Sequence, residues 1–181
     1  MLQIIVPANE IYDEANDQFI SLDSDHVLEL EHSLVAISKW ESKWHKAFLT
    51  NKEKTTEETI DYIKCMTLTS NVKPEVYRFL TGQNIEDINN YIGNPMTATT
   101  FSKEQKGRGG GETITSELIY YWMITLNIPV EFENWHINRL LTLVRVCNIK
   151  NQPPKKMSRR ELASRNAALN AARRQQLNTK G

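Results

Sequence analysis

The chain has 181 residues, 40% of them hydrophobic, which suffices for one compact domain with a sizeable core and an additional tail. Its 22 basic and 22 acidic residues cancel overall, but residues 1–149 contain 13 basic and 21 acidic residues, whereas nine basic residues and one acid follow. This asymmetry predicts an acidic body and a basic tail that either binds a partner or makes an internal electrostatic contact. The sequence shows no N-terminal signal, and none of its uninterrupted apolar runs approaches the ~18 residues that a membrane-spanning helix needs. We therefore expect a soluble, cytoplasmic protein.

The N-terminal 31 residues are β-rich. Residues 2–6 form an apolar run, and residues 18–22 and 26–30 alternate polar and apolar side chains. Alternation is typical of strands, and Asp23-Ser24-Asp25 is a turn cluster. We expect a small antiparallel hairpin or sheet of two or three strands, with a loop over residues 7–10 and a helical layer covering it.

Two amphipathic helices are predicted next. Ser33 is a candidate N-cap for a helix whose apolar residues recur at steps of three and four: Leu34, Ile37, Trp40, Trp44 and Phe48. The two tryptophans fit a core better than a ligand platform. Thr55 and Glu58 have capping-box spacing, and Ile60, Ile63 and Met66 follow on the inward side.

Shorter elements lead to a polar segment. Pro74 suits the start of a short helix that Gly82 breaks, and Ile85, Ile88 and Ile92 predict another helix that stops at Gly93-Asn94-Pro95. Residues 96–112 are polar and glycine-rich, and their spacing fits neither phosphate-binding glycine motif. We therefore expect a mobile loop that proteases cut first.

Residues 113–149 are predicted to form the centre of the fold. An almost entirely apolar helix ends before Pro129, and a second helix carries a stripe with Leu140, Val144 and Cys147. Two helices on a short connection predict an antiparallel hairpin. Leu140 and Val144 should be buried.

The C-terminal sequence predicts a basic helix that projects from the body or frays. Pro153-Pro154 stops the preceding helix, Ser158 and Glu161 have capping-box spacing, and five alanines favour helix. The fold class is therefore mainly α: a helical domain over 1–150 with a small N-terminal β-structure, then a basic helical tail over 151–181.

No catalytic apparatus is visible in the sequence. The four histidines, His26, His32, His45 and His136, show no metal-ligand spacing, and no nucleophile motif occurs. Cys65 and Cys147 have no CxxC partner and are expected to be buried free thiols. We expect no enzyme, no metal and no cofactor.

Two surfaces are candidates for binding partners. Trp135 and His136 form either a lid over the hairpin joint or a contact surface for another subunit. Exposed Tyr120 and Tyr121 would also serve as such a contact surface. The tail basic residues could bind an acidic protein surface or neutralise phosphates: Lys155, Lys156, Arg159, Arg160, Arg165, Arg173 and Arg174. Nucleic acid is the less favoured partner, because no aromatic residue is interleaved for stacking.

Three stretches resemble a known family. They are LELEHSLVAISKWESKWHKAFL at residues 28–49, EETIDYIKCMT close behind, and residues 112–177. The last stretch follows a scheme: a helix that ends near an Ile-Pro turn, a Trp-His pair, an Arg-Leu-Leu stripe and a basic end. In these features the chain resembles tail assembly chaperones of long-tailed bacteriophages.

The resemblance implies a small helical protein of the host cytoplasm that binds the tape measure protein and helps recruit tail tube subunits around it. It implies self-association along the client, departure from the finished virion and, in many members, a longer frameshifted form. It carries over no catalytic residue. Two other hypotheses remain open: a structural tail or head-tail component of the virion, and a nucleic-acid-associated phage protein that acts through the basic tail.

Overall fold

The structure is a computed structural model that describes residues 1–13, 17–50, 52–101, 113–152 and 158–179. The chain divides into two compact units, Met1–Asn148 and Ile149–Gly181. As the sequence predicts, the fold is mainly α-helical, with a small antiparallel β-structure at the N-terminus. Most of the predicted mobile loop over 96–112 lies outside the described residues, as do Lys155 and Lys156.

The β-structure consists of two antiparallel pairs, in which β1 pairs with β4 and β2 with β3. The strands are Leu2–Val6 (β1), Asn9–Asp13 (β2), Gln18–Leu22 (β3) and His26–Leu30 (β4). The three predicted strands are confirmed at their predicted bounds. The predicted loop over 7–10 is wrong in its second half, because Asn9 pairs with Leu22 and begins β2. Pairing with a partner strand, which local sequence does not reveal, makes that segment extended.

One face of the β1–β4 pair lies against the helices. Alternate residues are buried, namely Ile4, Val6, Leu28 and Leu30. Both outer strand edges are also engaged: Asn84 Nδ2 donates to the Ile5 carbonyl at 3.1 Å, and the Leu68 N–H donates to the Glu29 carbonyl at 2.8 Å. The small sheet is thus covered by the helical layer that its marginal size requires.

The described chain contains six α-helices: Leu34–Trp44 (α1), Thr56–Met66 (α2), Gly82–Gly93 (α3), Ser116–Thr125 (α4), Ile137–Asn151 (α5) and Arg159–Leu177 (α6). Short 3-10 helices span Pro74–Phe79 and Val130–Asn134. The predicted N-caps Ser33, Thr55 and Ser158 are confirmed, the last two as capping boxes. Gly82 does not end a helix as predicted but begins α3, because Thr81 caps that helix in a box with Asn84.

The centre of the body is α1, which packs against α2, α4 and the second 3-10 helix. Leu34, Ile37 and Trp40 are at most 1% exposed. The helix ends earlier than predicted, because His45 adopts a left-handed conformation with φ 52°. Phe48 is therefore buried outside the helix, where its N–H donates to Glu41 Oε1 at 2.8 Å.

The predicted helical hairpin is not the centre of the fold. Its first helix, α4, packs against α1, and it buries one face instead of most of its circumference. Its second helix, α5, begins against the β4–α1 connection, where the Ile137 N–H donates to the His32 carbonyl at 2.7 Å. The apolar composition of α4 predicted complete burial, but part of it faces solvent.

The predicted core residues of α5 are confirmed, since Leu140 is 0% and Val144 is 4% exposed. Cys65 and Cys147 are free, as predicted, but each is half-buried. In the second unit, every described residue of α6 is exposed. Among the described helices, none is both long and apolar enough to cross a membrane.

Candidate protein-binding surface

Helix α4 is held firmly at both ends. At its start, Thr115 caps the helix and the Ser116 N–H donates to Glu41 Oε2 at 2.7 Å. At its end, Asn127 is left-handed with φ 53°, and the Ile128 N–H donates to the Met123 carbonyl at 2.8 Å. This is a Schellman motif with a buried apolar residue after it. The orientation of the helix about its axis is therefore fixed.

The outward face of α4 exposes large apolar side chains. Glu117, Tyr121 and Ile124 follow the i, i+4, i+7 spacing of one helical row. Tyr121 is 60% exposed and Ile124 is 76% exposed, whereas Ile119 and Met123 on the opposite side are buried. A rigid helix that presents Tyr and Ile to solvent is typical of a protein contact site.

A side-chain hydrogen bond links the second 3-10 helix to α4. The Tyr120 hydroxyl donates to Glu133 Oε2 at 2.8 Å and joins the two elements. Burial and the nearby Glu133 carboxylate raise the pKa of Tyr120, so the hydroxyl stays protonated and remains a donor. Val130 is 59% exposed, and Glu131 is exposed beside it. We call Glu117, Tyr121 and Ile124 the α4 surface.

The segment that contains α4 and the second 3-10 helix is acidic in sequence, although His45 and Lys46 line one pocket with Glu117. Residues 113–138 contain no Lys or Arg, but they contain three glutamates. Hydrogen bonds from the Glu117 backbone N–H and the Thr115 hydroxyl lower the pKa of Glu117, so it is ionised at neutral pH. Within the described residues, Glu117 and Glu131 form no ion pair. On the neighbouring α1, Lys43 is turned away and pairs with Asp61 of α2.

A stacked group follows the second 3-10 helix. The rings of Phe132 and Trp135 are parallel within 15°, with centroids 4.0 Å apart, and the Arg139 guanidinium lies 3.9 Å from the Trp135 ring. Trp135 is half-buried by these contacts. The stack fixes the path of the chain from the second 3-10 helix into α5. This arrangement matches the lid over the hairpin joint that the sequence suggested as one alternative.

The predicted contact residues divide into five groups. Tyr121 belongs to the α4 surface, whereas Tyr120 and Trp135 are half-buried. His136 is only 4% exposed, so its predicted role as a contact residue is wrong. Lys155 and Lys156 lie outside the described residues. The remaining residues are exposed on α6, in the second unit: Arg159, Arg160, Arg165, Arg173 and Arg174.

His136 instead belongs to a buried polar network that sequence spacing did not reveal. Its Nε2–H donates to the Tyr91 carbonyl at 3.0 Å, and the Tyr91 hydroxyl donates to Glu31 Oε1 at 2.7 Å. The His32 ring lies against His136, and its Nδ1 is hydrogen-bonded to the Tyr62 hydroxyl. The network joins α2, α3, the start of α5 and the β4–α1 connection.

Burial controls the charge of both imidazoles. It lowers the pKa of His32 to about 3, with a further contribution from the charge of His136. Burial also lowers the pKa of His136. Both rings are therefore neutral at physiological pH, which suits a structural network inside a core.

Two cavities lie elsewhere on the body. One of about 540 Å³ is lined by Lys46, Lys52 and Lys54, but Lys46 pairs with Glu58, and Lys54 donates to the Phe48 carbonyl at 3.0 Å. Because two of these ammonium groups have internal partners, the cavity is not a prepared anion site. The other, of about 710 Å³, is lined mainly by aliphatic and threonine side chains from β2, α2 and α3.

No group of three or more His, Cys, Asp or Glu residues in the described part of the chain is placed to hold a metal ion. Comparisons with protein-family models, curated proteins and solved structures found no match for this chain. The α4 surface is therefore the candidate site on its geometry alone.

Proposed function

We propose that this chain is a tail assembly chaperone of a long-tailed bacteriophage, which binds the tape measure protein in the host cytoplasm and helps recruit tail tube subunits. The observation that carries the proposal is the exposed row of Tyr121 and Ile124 on α4. The resemblance of residues 28–49 and 112–177 to that family supplies the identity of the client. The role is one of binding, without catalysis or a cofactor.

The α4 surface fits this role physically. A chaperone that keeps a long helical client soluble must cover the apolar stripe of the client with apolar side chains of its own. Tyr121 and Ile124 offer such side chains on a helix that is fixed at both ends, so little order is gained on binding and little conformational entropy is lost.

Co-expression with the tape measure protein of the same phage tests the proposal. The intact chain should keep the tape measure protein in the soluble fraction and co-purify with it. Tape measure protein that is equally soluble without the chain, and that does not co-purify, would overturn the proposal.

Mass spectrometry of purified virions separates the chaperone from a structural component. A chaperone that leaves before completion should be absent from virions but abundant in infected cells. Recovery of the chain from virions, at a fixed ratio to the tail proteins, would favour the structural tail or head-tail role.

A nucleic-acid-associated role is the second candidate, and one observation favours it. The arginines of α6 are all exposed on a helix of 19 residues. Such a helix could neutralise several phosphates, and binding would then weaken steeply as salt increases. A gel-shift titration with the intact chain at 50 and 200 mM salt tests for this behaviour.

A further inference from the structure

We draw no further inference here: the strongest candidate, the cleft of about 710 Å³ that is lined mainly by aliphatic and threonine side chains of β2, α2 and α3, carries no proposal, because nothing in the described part of the chain shows what covers it.

Discussion

The imidazole rings of His32 and His136 lie 5.0 Å apart and almost perpendicular to each other in the interior of the body. His32 precedes α1 and His136 precedes α5, and a backbone hydrogen bond from Ile137 to the His32 carbonyl closes the same junction. The contact thus ties the α5 segment to the central helix. Both rings must remain neutral for this packing to persist.

The first prediction is a loss of stability in mild acid. The folded-state pKa of His32, about 3, lies below its ordinary value of 6.5, so the unfolded chain binds a proton more readily between these values. The stability is fully present above pH 6.5 and is lost as the pH falls towards 3, at up to about 1.4 kcal/mol per pH unit. Urea unfolding at pH 8, 7, 6 and 5 measures this slope.

A His32→Gln variant provides the comparison. At pH 8 it should be less stable than the wild type, because it disturbs the contact with Tyr62 and His136. Between pH 7 and 5 its stability should change less than that of the wild type. Parallel pH profiles for the two proteins would show that His32 does not contribute the slope.

The second prediction concerns the core of α5. Leu140 is 0% exposed, so Leu140→Ala should reduce the free energy of unfolding by about 2–5 kcal/mol through lost burial and a residual cavity. Ile124→Ala on the exposed row of α4 should change it by less than about 0.5 kcal/mol. Denaturant melts of both variants give the values, and a loss well below 1 kcal/mol in Leu140→Ala would contradict the burial.

The third prediction concerns the support of α4 by Glu41. Its two carboxylate oxygens accept from the Phe48 and Ser116 N–H groups, at 2.8 and 2.7 Å. Glutamine offers one acceptor oxygen, so Glu41→Gln should leave one buried N–H unpaired and cost about 1–3 kcal/mol. Amide exchange at Ser116 or Phe48 should accelerate. Unchanged exchange at both amides would show that the carboxylate does not hold the two segments.

Local signals in the sequence predicted three of the four described strands and the starts of α1, α2 and α6. Alternation placed β3 and β4, and the spacing of Thr55 with Glu58 placed the start of α2. These features depend on neighbours within a few residues, because a capping hydrogen bond or a strand face is decided locally. The basic helix beginning after Ser158 was predicted for the same reason.

Local sequence patterns could not predict contacts between segments that are distant in the chain. Composition predicted that α4 is buried on most sides, but Tyr121 and Ile124 face solvent. Within the part of the chain that the structure describes, α1 is the α-helix that packs most extensively against α4. His32 and His136 meet only because α5 begins beside the β4–α1 connection. Of the candidate site, Tyr121 was predicted, whereas Glu117 on the same helical row was not recognised as part of the surface.

The last prediction concerns the basic tail. Residues 150–181 contain nine basic residues and one acid, opposite in sign to the acidic body. We expect residues 155–177 to bind an acidic protein surface, on the client or on a neighbouring copy. A single exposed ion pair contributes only about 0.2–1 kcal/mol, so several arginines must act together. Helix α6 extends about 28 Å, which is long enough to present them along one partner.

Removal of residues 155–181 should therefore leave the body folded but weaken self-association or capture of the client. Circular dichroism and urea melts check the fold, since the Leu140 core lies in the other unit. Sizing and co-purification check the binding, with Leu162→Ala and Leu169→Ala as control variants that retain every charge. Because screening shortens the reach of such charges to about 8 Å in physiological salt, binding should also weaken at 0.5 M salt. Tight nucleic-acid binding by the intact chain, together with unchanged assembly and client capture by the truncated chain, would instead assign the tail to nucleic acid.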